Sequence, residues 1–168
     1  KVLHHNFGGR LSNDIDQSLG RAQSPRPKKP MSRPVSWSGA WDWGTYPETD
    51  AKMGDIQLAK SVALALKEDY DKPFFMSVGF FCPHVPLFVP PEWFELYEED
   101  KIILPNNPKN DLDDLPKNFL SINDYAVAPS HREVTESGNQ RSLTHAYLAS
   151  VSFVDHCCLL YTSDAADE

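Results

Sequence analysis

The stretch from Asp71 to Pro90 reads DKPFFMSVGFFCPHVPLFVP. It opens on a turn signal, Asp71-Lys72-Pro73, because a proline biases the residue before it away from helix. Phe74 to Phe81 is then apolar apart from Ser77 and Gly79, and too short for a helix. Such a run suits a strand buried on both faces, at the centre of a parallel sheet. His84 follows between Pro83 and Pro86, whose rings stiffen the backbone around it. In open α/β sheets ligands bind beyond the carboxyl ends of the strands, and the run predicts that His84 sits there. A lone histidine is as commonly structural, so position alone leaves both roles open.

Working outward, Asp50 to Tyr70 reads as an amphipathic helix. Met53, Ile56, Ala59, Val62, Ala63 and Leu66 recur at helical spacing, and Asp50 suits the N-cap. Helix followed by strand makes an α/β unit. Downstream, Pro90 to Tyr97 reads as a short helix with Pro91 in its first turn and Phe94 and Tyr97 turned inward. Lys101 to Leu104 reads as an edge strand. Asn106 to Pro116 carries Asp111, Asp113 and Asp114 without the EF-hand pattern, and is read as a solvated loop. Ser137 to His156 is the second helix, with Ser137 and Gln140 at capping-box spacing. Leu143, Ala146, Tyr147, Ser150, Phe153 and Val154 form its inward stripe. His145 and His156 are assigned no chemistry.

At the other end, Lys1 and His4 stand three residues apart and can converge on one side of a turn. A lysine beside an imidazole suits an anion, although two surface residues would look the same. Asn6 to Gly39 has little periodicity. Its Arg21, Arg26, Lys28, Lys29 and Arg33 alternate with prolines, as in a solvated loop or a rim that attracts an anion. Trp37, Trp41 and Trp43 either pack this loop onto the core, the favoured reading, or stack on a sugar ring.

The 168 residues suffice for one domain with a real core. A net charge of −8 argues against a general nucleic-acid binder. No apolar run approaches the ~20 residues of a membrane span. The 3 cysteines, at 82, 157 and 158, have no metal-ligand spacing and make no disulfide framework. The 14 prolines predict a loop-rich chain. Residues 158–168, CLLYTSDAADE, break the helical period and read as one frame of a transposase adapter used in shotgun sequencing. They are set apart from residues 1–157, which are expected to be an internal piece of a catalytic domain. Reading the locus from an independent library is expected to give a different continuation after Cys157; the same codons would contradict this.

Several ordered motifs resemble the type I sulfatases, in the branch of iduronate-2-sulfatase and choline-sulfatase. Lys72 to Pro86, KPFFMSVGFFCPHVP, is similar to the family's "KPFFLxVGFxxPHxPF" block. Val89 to Tyr97 is similar to "VPxxYFDLY", and Ile103-Leu104-Pro105 with Asp111 to Pro116 continues it. Tyr147 to Asp155 matches "YLASVSFVD", and Lys1 to His4 resembles "GKVFH". The resemblance implies part of an alkaline-phosphatase-like α/β fold, a mixed and mostly parallel sheet flanked by helices. It implies cleavage of a sulfated carbohydrate or small sulfate ester by a formylglycine nucleophile with calcium. Carried over, Lys1 contacts a sulfate oxygen and His4 acts as a base on the formylglycine. His84 contacts the ester and protonates the leaving oxygen. A periplasmic, extracellular or lysosome-like compartment is implied as well.

The departures from the family pattern are specific. No formylglycine motif is present, since Cys82 precedes Pro83-His84, and Ser24-Pro25-Arg26 has the wrong order. The family's paired aspartates and its "SDHG" metal segment are missing too, so neither nucleophile nor calcium ligands are expected in these residues. Two alternatives stay open. One is a phosphodiesterase or phosphonate hydrolase of the same superfamily; the other is a catalytically dead domain that binds sulfated glycans.

Overall fold

The computed structural model describes residues 23–34, 36–106, 108, 110, 113–116, 119 and 128–162. Among these, β1 (Trp43–Thr45) pairs in parallel with β2 (Leu87–Val89), with Trp43 opposite Leu87 and Thr45 opposite Val89. Between them lies α1 (Gly54–Leu66), preceded by a 3₁₀ turn at Asp50–Lys52. After β2 come α2 (Pro91–Phe94), a 3₁₀ turn at Glu99–Lys101, α3 (His131–Glu136) and α4 (Gln140–Thr162). Helices packed beside a parallel pair are the pattern of an α/β unit. That is the fold class expected, although the sheet described is only a small part of the large one implied.

The core forms where α1 and α4 meet over β2. Met53, just before the first helix, and Ile56 and Ala59 within it pack with Val89, Phe80 and Cys82, and with Ala149, Phe153 and Cys157 of the last. Trp37 and Trp43 bury against Leu87 and Ala146 in a second cluster, with Trp41 partly buried beside them, so the tryptophans do pack the loop inward.

Helix boundaries differ from those read in the sequence. Asp50 opens a 3₁₀ turn and supplies no side-chain cap; the first amide of α1, at Gly54, donates to Ser24 Oγ of the basic loop at 3.0 Å. The capping box lies at Ser130 and Glu133 rather than Ser137 and Gln140, and Ser137 ends α3. On α1 the buried stripe continues through Val62 to Ala65, which leaves Leu66 on the outer side. On α4 Tyr147 faces out, while the stripe runs on through Cys157 to Leu160 and Tyr161. The helical period therefore continues past Cys157, where a break was expected, and the helix ends at Thr162. Lys101 to Leu104 forms no strand; Ile103 is 93% exposed.

The largest correction concerns Phe74 to Phe81. It joins no ladder among the described residues. Val78, Phe80 and Cys82 pack onto the core, while Phe74 and Phe75 are exposed, Phe75 at 92%. A continuous apolar run suggested two covered faces; here the end near His84 packs inward and the beginning of the run is exposed. His84 accordingly does not follow the carboxyl end of a described strand. It lies in the turn that leads into the amino end of β2.

Asp42, just before β1, anchors the basic loop. It is 5% exposed, and its two oxygens accept from the amides of Met31, Ser32, Arg33 and Trp43 at 3.0–3.3 Å. Burial opposes its charge, but these amide donors outweigh that and hold its carboxyl below the ordinary value near 3.8. Because the folded value is the lower one, the stabilisation is complete above about the ordinary value and is lost as pH falls through the folded value. Asp42→Asn turns an amide NH₂ towards backbone N–H groups. It is expected to cost about 2 kcal/mol at neutral pH. It should also flatten the acid limb of stability, measured as urea midpoint against pH.

Candidate functional site

His84 is delivered by a tight turn. Its amide donates to the carbonyl of Phe81 at 2.9 Å, and the Cys82–Pro83 and Val85–Pro86 peptide bonds on either side are cis. The side chain is exposed, with its ring centroid 5.1 Å from that of Phe81. Nδ1 lies 2.7 Å from the carbonyl oxygen of Val85. A carbonyl only accepts, so this contact assigns the hydrogen to Nδ1. That leaves Nε2 as the working nitrogen, and no hydrogen bond to it is found among the described residues. The bond at Nδ1 is made equally well by the neutral ring and by the imidazolium. His84 can therefore gain or lose a proton at Nε2 without turning its ring, which is what proton transfer to or from a bound group requires.

The turn is held from behind by Asp55, in the first turn of α1. Asp55 is 3% exposed. Its Oδ1 accepts from the amide of Phe81 at 2.8 Å and its Oδ2 from that of Cys82 at 2.9 Å. Nothing in the pattern of the sequence marks this residue. An aspartate early in a helix reads as a favourable charge at the helix terminus, and its partners lie 26 and 27 positions away.

Cys82 adjoins His84 but is no nucleophile. Burial pushes its thiol far up, and the Asp55 carboxylate adds to the effect, so it stays protonated at neutral pH. Burial does the same to Cys157, followed by the charge of Asp55. Ser24, in the other near-motif, caps α1 instead.

Of the residues singled out for chemistry, only His84 falls in the described part; Lys1 and His4 lie outside it. No group of three or more His, Cys, Asp or Glu side chains able to hold a metal occurs among the described residues. Asp113 and Asp114 are exposed, as a solvated loop requires. The other histidines near the core serve structure. His145 places Nε2 2.9 Å from the carbonyl of Phe94 and Nδ1 3.4 Å from Glu99, and His156 packs on Trp93. Among the described residues no helix is long and apolar enough to cross a membrane.

No protein-family model matches the chain. Among curated proteins, it is 44% identical over 115 residues to a protein named sulfatase from Formosa agariphila, which covers 68% of this chain and 23% of that protein. It is 29% identical over 124 residues to iduronate 2-sulfatase from Homo sapiens, covering 67% of this chain and 21% of that protein. A matched stretch of 115 in 168 residues necessarily includes His84. The chain thus spans less than a quarter of the length of these two relatives.

Proposed function

The chain belongs to the sulfatase family, and from that premise we propose that it is part of a longer sulfate-ester hydrolase in which His84 meets the ester. The observation that supports this most is the similarity to two sulfatases across a stretch that includes an exposed histidine with one nitrogen pinned and the other open. In the proposed reaction a nucleophile from another part of the longer protein bonds to sulfur as the sulfur–oxygen bond breaks, and His84, as the imidazolium, gives its Nε2 proton to the departing alcohol oxygen and is left as the neutral ring with its hydrogen on Nδ1. An alkoxide leaves poorly, so a donor at that atom lowers the barrier for unactivated alcohols most. Lys1 and His4 are proposed to contact the sulfate and to act as a base, respectively.

The described residues do not fit a calcium site. By the family resemblance, we propose that the calcium ligands and the formylglycine lie in other parts of the longer protein. The substrate class, a sulfated carbohydrate or small sulfate ester, and a secreted or lysosome-like setting belong to the same proposal.

The test is a rate comparison on the longer protein, using sulfate and phosphate monoesters and diesters of one alcohol. Faster sulfate release is expected. Faster cleavage of the phosphate esters would favour the related phosphodiesterases, and tight binding of sulfated glycans without turnover would favour a binding domain. The isolated 168-residue chain is expected to release no sulfate. It should also self-associate, because Phe74 and Phe75 are exposed.

A further inference from the structure

The proposed proton donor is an exposed side chain, so burial does not fix it. Its position depends on the backbone of the turn, and that backbone is held by one peptide unit. The Phe81–Cys82 peptide presents its N–H to Asp55 Oδ2 at 2.9 Å and its C=O to the amide of His84 at 2.9 Å. The two groups point in opposite directions across a planar trans unit. Fixing the N–H on one side therefore aims the C=O on the other. The second oxygen of Asp55 takes the preceding amide, at Phe81, and stops the unit from swivelling.

We propose that Asp55 is a positioning residue for His84, which it holds through the Phe81–Cys82 peptide. A buried carboxylate on the N–H also polarises that peptide and strengthens the bond its carbonyl accepts. The imidazole is kept in register with the ester by a chain of Asp55, peptide and His84 amide, completed by the Nδ1 bond to Val85. Asp55 touches neither substrate nor reacting atoms. The inference rests on the assignment of His84 to a sulfate-ester site, although the clamp itself is a structural statement that can be read without turnover.

The experiment uses Asp55→Asn in the longer protein, with two readouts. The first is hydrogen exchange at the His84 and Cys82 amides, which is expected to speed up about tenfold or more. The second is kcat per folded site on an alkyl sulfate. It is expected to fall roughly 10- to 100-fold, with KM moving by less than about threefold, since small misplacement of a reacting group acts on the chemical step. A purely structural role would leave kcat per folded site unchanged and would speed exchange at core amides such as that of Phe153 as much as at His84; either outcome overturns the proposal, as does unchanged exchange at His84. If the wild-type protein hydrolyses no sulfate ester, the functional reading fails by itself. The exchange arm alone then decides the clamp: exchange that speeds up more at His84 than at the core amides supports it and equal exchange overturns it. Should Asp55→Asn not fold, Asp55→Glu keeps the charge and moves it by one methylene. The same two shifts are expected in smaller measure, and wild-type values for both overturn the proposal.

Discussion

Replacing His84 with alanine in the longer protein is expected to lower kcat for an alkyl sulfate by about 10²- to 10⁴-fold, the usual contribution of a positioned proton donor. The loss should depend on the alcohol. A nitrophenolate leaves readily without a proton, so an aryl sulfate should lose much less than an alkyl sulfate. That difference separates proton donation from simple sulfate contact, which would penalise both esters alike. The fold should tolerate the change, since the His84 side chain is exposed and the bond from its amide to the Phe81 carbonyl is kept. A variant that loses the same factor on both esters would leave His84 as a binding group.

The largest expected effect on stability is at Phe153. It is fully buried and meets Trp93 edge to face, with centroids 5.7 Å apart and planes at 72°. It also lies in the cluster that joins α1, α4 and β2. Phe153→Ala removes apolar contact and leaves a cavity that the two helices cannot close, at a cost of about 3–5 kcal/mol. Tyr147, about one and two-thirds turns earlier on the same helix, is half exposed. Tyr147→Ala should stay within about 0.5 kcal/mol of the parent. Chemical denaturation of the two variants checks the pair. Similar costs would mean that the inward face of α4 is misassigned.

The two positions also show what was legible in the sequence. The spacing of Met53, Ile56, Ala59 and Val62, and of Ala146, Ser150 and Phe153, gave both helices and most of their buried faces, because burial repeats with the helical turn. Tyr147 was misread as inward, since an aromatic beside a stripe carries no sign of which way it leans. The apolar run before His84 was legible as a segment that reaches the core, where Val78 and Phe80 pack. Its pairing was not, because ladder partners are non-local and the run looks alike with one face covered or two. Caps were misplaced for a similar reason. Asp50 has the right chemistry at the right spacing, yet the amide of Gly54 is met by Ser24, 30 positions away.

The candidate site divides along the same line. His84 could be singled out as a candidate because prolines and a strand-like run frame it. Asp55 and Asp42 could not, although each is buried, Asp55 accepting from two backbone amides and Asp42 from four. Their partners are main-chain groups, which no side-chain motif records. Buried carboxylates of this kind become visible only when the chain has folded around them.

The most direct test of the central claim is a crystal structure of the longer protein with an unreactive sulfate-ester analogue bound. The account expects Nε2 of His84 within about 3 Å of the bridging ester oxygen, with Nδ1 still on the Val85 carbonyl and Asp55 on the two amides. A bound analogue whose ester oxygen is met by other groups, with His84 turned to solvent, would contradict it.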